Sequence, residues 1–335
     1  MSAVQEDAGS MLQDLLTTID RVAEAHCPKA LRESAEAGEW PAALWRELEN
    51  VGLARAALPE SAGGAGLDFG GAMAALRRTA YHALPVPLAE TMIAGRLLVA
   101  AGLEVPDGPL TVASGDAKRV PWGNQCGHVV RISSDDEVTL FPLRDFSPRI
   151  EKNLAGEPRA SLDFRGKAPA AKSALQGAQE RLMLEGALAR SVQMAGALER
   201  ALAYSLTYAS ERVQFGRPIG KFQAVQHMLA LLAGQAAAAS AIADAAVEAS
   251  AQAPDEFTVA AAKARVGEAA GKGAEIAHQV HGAMGFTREH NLHYVTRRLW
   301  SWRDEFGNEA HWQMRLGRMV AAKGADALWP MLTRS

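Results

Sequence analysis

The sequence predicts a mostly α fold in three parts: an N-terminal helical domain, a small β domain and a C-terminal four-helix-type bundle. Three observations predict it. Apolar residues recur at helical spacing through most of the first hundred residues. The pattern then changes near Pro106 to short, β-branched, turn-bounded runs. From Lys172 onward it is helical again, in much longer segments. A chain of 335 residues is too long for one compact helical core, and the boundaries fall at 1–108, 109–170 and 171–335.

In chain order, "MLQDLLTTIDRVAEAH" carries an amphipathic helical stripe. "PAALWRELENVGLARAALPESAGGAGLDF" reads as a helix followed by a glycine-rich loop, and two more helices follow, broken at Pro85 and Pro87. In the middle part, "HVVRIS" and "EVTLFPL" are predicted strands. The β segment is short for an independent domain, so it is expected to pack against helices. In the last part, the helix ending in "LTYASER" has no proline. "VQHMLALLAGQAAAASAIADAAVEASAQ" repeats alanine, the best helix former. "DEFTVAAAKARVGEAAGKGAEIAHQVHGAMG" has Asp255 as its cap, with Gly282 and Gly285 as its stop. Four or five long antiparallel helices make a bundle.

Composition narrows the classes. The chain is 48% hydrophobic and 22% charged, with a net charge of −3, which points to neither nucleic acid nor an anionic membrane as a partner. Cys27 and Cys126 lack metal-type spacing and fit a reducing cytoplasm, and no metal is expected. The N-terminus has acids where a secretion signal has bases, and no apolar run is read as reaching membrane-spanning length. A cytoplasmic protein is expected.

The chemistry concentrates in "ERVQFGRPIGKFQAVQHMLA", Glu211 to Ala230. Arg212 offers a planar fork suited to phosphate oxygens, and Phe215 a flat face for a ring system. Gly216 and Pro218 turn the chain, so that a new helix begins near Phe222 with free N–H groups toward an anion. Taken alone, spacing favours the plainer reading: Arg212 as a solvated charge at a helix end, Phe215 as a core ring, and Gly282 and Gly285 as helix stops.

The stretch resembles the signature of the acyl-CoA dehydrogenase flavoproteins. "AHQVHGAMGFTREHNLHYVTRR" is similar to that family's Gln-x-x-Gly-Gly-x-Gly segment, "LPESAGGAGLDF" to its N-terminal loop and "NLAGEPRASLDF" to the end of its β domain. The resemblance implies FAD held at a subunit contact by Arg212, Gln214, Phe215, Gln223, Gln279 and Gly282. It also implies a homo- or hetero-oligomer, an acyl-CoA substrate in fatty acid or lipid catabolism, and an electron-transferring flavoprotein as acceptor.

Two departures matter. The Thr-Glu-Pro-x-x-Gly-Ser-Asp loop that holds the flavin ring in the family is not found in "VASGDAKRVPWGNQCGHVV", where Trp122 is an aromatic more in keeping with core. The catalytic base is also displaced. Removing the α proton of a thioester needs a carboxylate within reach of Cα. The family's usual position falls on Phe306, and its alternative on Gly186. Glu305 and Glu185 each stand one residue early, as candidate bases or as ordinary solvated charges. The leading expectation is FAD-dependent α,β-dehydrogenation. The alternatives are a half-site subunit of a heteromeric enzyme, in which two short chains divide the FAD contacts and the base, and a flavin-dependent oxygenase on the same fold.

Overall fold

The computed structural model describes residues 3–64 and 66–333. Ala65, inside the predicted glycine-rich loop, lies outside the described residues, as do the first two and last two positions. The chain divides into two compact units, Met1–Ala189 and Arg190–Ser335.

The first unit opens with helices α1 (Ala3–His26), α2 (Lys29–Ala37) and α3 (Ala42–Asn50). Prolines set the breaks: Pro28 and Pro41 stand at the N-caps of α2 and α3, where a missing N–H costs nothing. Helix α4 (Phe69–Tyr81) is capped by Asp68, whose carboxylate accepts from Gly71 N at 2.7 Å. Asp20 of α1 takes the Arg78 guanidinium of α4 in a fork, at 2.5 and 2.6 Å, and His82 Nε2 at 2.7 Å. Helix α5 (Leu88–Ala100) starts after Pro87, is buried over most of its length, and lacks an amphipathic stripe for that reason. Its Thr91 hydroxyl meets the backbone of Leu110, joining the helix to the first strand.

The β part has seven strands: β1 (Leu110–Ser114), β2 (Val120–Pro121), β3 (His128–Ile132), β4 (Glu137–Pro142), β5 (Arg149–Lys152), β6 (Pro158–Ser161) and β7 (Ala171–Ala174). One sheet runs β1-β3-β4-β7, with β1 parallel to β3, and a second runs β2-β6-β5. The two strands read from sequence are β3 and β4. Trp122 belongs to a core cluster with Val120, Val129, Phe141 and Ala160, so its ring is packing material. Between β1 and β2 only Gly115–Arg119 intervene, a tight link with positive φ at Gly115, Ala117 and Arg119.

Helix α6 (Ala178–Glu211) begins in the first unit, where Asp136 accepts from Gly177 N and Gln179 N, and runs into the second. There follow a hairpin of β8 (Val213–Gln214) and β9 (Arg217–Pro218), then α7 (Gln223–Ala249), α8 (Glu256–His281), α9 (Leu292–Trp302), α10 (Glu309–Lys323) and α11 (Leu328–Leu332). Asp255 caps α8 as expected, accepting from Thr258 N at 2.9 Å. Helices α7 and α8 pack closely through small residues. A Cβ on Gly273 would stand 2.4 Å from Leu198 and 3.4 Å from Leu232.

One expectation is corrected here. Helix α7 is long and apolar enough to cross a membrane by length and composition, with a mean hydropathy of 1.5 and a third of that stretch buried. Its apolarity comes largely from alanine, which sequence reading scored as helix propensity rather than as an apolar run.

Candidate functional site

The signature residues gather at one end of the second unit. Tyr208 near the end of α6 stacks on His281 at the end of α8, with ring centres 4.6 Å apart. The backbone of Ala209 closely backs Gly220, just before α7 begins, leaving 3.1 Å for any side-chain carbon there. The C-terminal ends of α6 and α8 and the N-terminal end of α7 therefore share this end of the bundle.

Arg212 stands at the end of α6, its N–H donating to Tyr208 O and its carbonyl accepting from Ile219 N at 2.8 Å. The chain then makes a tight turn with positive φ at both Phe215 and Gly216, the geometry of a two-residue hairpin. A phenylalanine in the left-handed region is strained, so the turn holds it there against its own preference. Its ring is 94% exposed. Arg212, Gln214, Gln223 and Gln279 are exposed as well. Among the described residues Arg212 makes no ion pair. Gly282 ends α8 at φ +57°, and a Cβ there would meet nothing within 4 Å. Its need for glycine is thus set by the backbone turn within this chain.

Sequence reading missed four contributors. Arg217 lays its guanidinium over the Phe222 ring at 4.3 Å, inside the same hairpin. Its signal was the second arginine of "RVQFGRP". Histidines 278, 281 and 290 pack with Tyr204, Tyr208 and Phe286 around the ends of α6 and α8. Burial holds all three imidazoles below their usual range, with neighbouring histidines adding to the effect.

The two candidate bases sit in different surroundings. Glu305 lies on the loop after α9, where Arg190 grips Oε2 through Nε at 2.8 Å and through a terminal nitrogen at 2.7 Å. The loop itself is clasped. Lys263, with 0% exposure, donates to Arg303 O at 2.7 Å and Gly307 O at 2.6 Å, and Trp312 Nε1 donates to Phe306 O at 2.9 Å. Burial lowers the Lys263 ammonium to about 8, against the opposing pull of Glu309 and Glu305. Phe306, which has no basic group, takes φ +53°. Glu185 is buried in the first unit, its Oε1 accepting from Arg181 at 2.9 Å and lying 3.4 Å from Arg96 Nε. Both glutamates are thus held by arginines, and neither is an ordinary solvated charge.

The comparisons decide the family. The acyl-CoA dehydrogenase N-terminal domain model matches residues 11–105, and the C-terminal domain model residues 176–310. The chain is 30% identical over 296 residues to acyl-CoA dehydrogenase IpdE2 of Mycolicibacterium smegmatis, covering 85% of this chain and 90% of that one. The chain belongs to the acyl-CoA dehydrogenase family. Its fold is that of the family too. A steroid acyl-CoA dehydrogenase, the Tcur3481-Tcur3483 G363A variant, superposes with a TM-score of 0.84 at 24% identity, over 94% of this chain and 99% of the other. The ChsE4-ChsE5 complex of Mycobacterium tuberculosis superposes with a TM-score of 0.84 at 23% identity, over 94% and 98%. Within this flavoprotein family, the exposed end of the bundle is the candidate cofactor surface. A cationic fork without an ion pair among the described residues, an exposed ring, three exposed amides and the N-terminus of a 27-residue helix form a donor set that fits an anionic dinucleotide.

Proposed function

We propose that this acyl-CoA dehydrogenase chain is one subunit of an FAD-dependent assembly in which two chains share each flavin site. The assembly would carry out α,β-dehydrogenation of an acyl-CoA thioester and pass the electrons to an electron-transferring flavoprotein. Two observations, one in each unit, carry the reading: the outward presentation of Arg212 and Phe215 in the second, and a β1–β2 link of only five residues in the first. The chain offers contacts for a cofactor at an exposed hairpin and has no segment between those strands to cradle a flavin ring.

Arg212 would hold the pyrophosphate, Phe215 would stack on a ring, and Gln214, Gln223 and Gln279 would supply amide hydrogen bonds. Gly282 would place its bare backbone beside them. FAD, when bound, supplies the hydride-accepting chemistry that no side chain has. The protein's share of the reaction is to place and desolvate the thioester and to remove a proton from Cα. Glu305 suits that last task poorly, because its carboxylate is committed to Arg190 and its loop is fixed by Lys263 and Trp312. In this reading the second chain supplies the base and the flavin-ring contacts. The two-component composition of the ChsE4-ChsE5 structure supports such a pairing.

The test is to purify the chain alone and together with a second short member of the family. Flavin content and acyl-CoA-dependent reduction of an electron-transferring flavoprotein are then measured. The reading expects full flavin and turnover only from the pair. Stoichiometric flavin and turnover by the single chain would refute the shared heteromeric site. An absence of flavin in every combination would refute the cofactor assignment.

A further inference from the structure

Helix α9 is capped by a histidine. Asn291 stands at the cap position and makes no side-chain bond to the helix end. The Leu292 N–H donates instead to His290 Nδ1 at 3.0 Å. That bond fixes the state of the ring. Nδ1 must keep its lone pair, so the imidazole is neutral and carries its proton on Nε2. The cap reaches the candidate cofactor surface through one side chain. Leu292 is fully buried and packs on Gly285, where its Cδ2 leaves 3.3 Å for any side-chain carbon. Gly285 lies in the turn Gly282–Phe286, which follows α8 directly.

The surroundings of His290 favour the neutral ring. From α8, the His281 ring centre lies 4.5 Å away. From α6, Tyr204 and Tyr208 add neutral rings at 5.4 and 6.0 Å, and the Arg200 guanidinium lies over Tyr204. On α9, His293 Nδ1 donates to the His290 carbonyl at 2.8 Å. On its own loop, Arg288 and Glu289 are exposed. A positive charge on His290 would stand at the N-terminus of α9, where the macrodipole opposes it. Burial and His293 together hold the imidazole below its usual range.

We propose that neutral His290 is a positioning residue for the cofactor surface, and that its protonation withdraws the cap from Leu292 and loosens the Gly282–Phe286 turn. The inference rests on the cofactor reading above. The step is the arrival of one proton from solvent at Nδ1. The lone pair that accepted from Leu292 becomes an N–H bond, and two donors then face each other across the start of α9. Because the folded chain holds the ring neutral, the cap is intact above about 6.5 and is lost as pH falls below it.

The substitution His290→Asn separates capping from titration. Asparagine places a carbonyl oxygen near the position of Nδ1, is a strong cap acceptor and has no proton to gain. FAD affinity of the full chain in its purified assembly is measured by flavin fluorescence at about pH 7.5 and about pH 5, on either side of the ordinary imidazole value. The wild type is expected to bind FAD about tenfold more weakly at the lower pH, the equivalent of about one lost hydrogen bond. That loss should shrink to about twofold or less in His290→Asn. His290→Leu, which has no acceptor, should bind weakly at both pH values. Equal wild-type affinities at the two pH values would overturn the proposal, and so would the same acid loss in His290→Asn. If that variant does not fold, His290→Asp, an acceptor at both pH values, takes its place. Amide exchange at Leu292 reads the cap without flavin. Its protection, corrected for the intrinsic effect of pH, should fall in acid in the wild type and hold in His290→Asn. Protection that is unchanged in wild-type acid would overturn the proposal. If the assembly binds no FAD at either pH, the cofactor reading fails separately, and the exchange result decides the cap.

Discussion

Replacing Lys263 by methionine tests the clasp on the Arg303–Gly307 loop, because its cost must depend on pH in a direction the structure dictates. The ammonium is fully buried against two carbonyl oxygens, and burial lowers it from 10.5 to about 8. In the unfolded chain the same lysine keeps its proton up to its ordinary value. Between those two limits the unfolded state binds more protons than the folded one, so the stability contributed by this group rises with pH. It is fully present above about 10.5 and is lost as pH falls through about 8. A shift of this size corresponds to about 3 kcal/mol. Methionine cannot titrate, and it leaves the carbonyls of Arg303 and Gly307 without their donor at every pH. The destabilisation caused by Lys263→Met is therefore expected to be larger near pH 10 than near pH 7 by about 2–3 kcal/mol. Urea unfolding followed by tryptophan fluorescence at the two pH values measures it, and Trp302 and Trp312 beside the loop are convenient reporters. A cost that is the same at both pH values would show that Lys263 titrates normally and would refute the argument.

Arg212→Ala should weaken flavin binding by about tenfold or more, as expected for the loss of a hydrogen bond to a charged group, and flavin retention after gel filtration reports it. The histidines at positions 278, 281 and 290 have lowered folded values, so their contribution to stability is complete above about 6.5 and is lost as pH falls below it. Acid unfolding should therefore steepen below that point, and His281→Phe, which keeps an aromatic face for Tyr208, should flatten the slope. Gly273→Val should destabilise by about 2–3 kcal/mol, because even a Cβ would press on Leu198 at 2.4 Å. A thermal melt of that variant matching the wild type would show that α6 and α8 can separate without cost.

The mostly helical class, the order of the helical and β parts and the family were all legible along the chain. Those rest on local signals: helical periodicity, the break at Pro85 and Pro87 before α5, the Asp255 cap, and a signature whose residues are close in sequence. Strands β3 and β4 were legible because each is a continuous β-branched run bounded by turns. Strands β5, β6 and β7 are only four residues long, and their pairing is what makes them strands. What a side chain does depends on the partners that folding brings to it. Nothing near Glu305 in sequence announces Arg190, which is 115 positions away, and nothing near Glu185 announces Arg96. Lys263 reads as one more charge on a helix until α8 packs against the loop whose carbonyls accept its hydrogen bonds. Ion pairs and buried donors depend on which distant residue fills the same volume and excludes water from it. That information is carried by packing, and the spacing of residues along a single helix does not contain it.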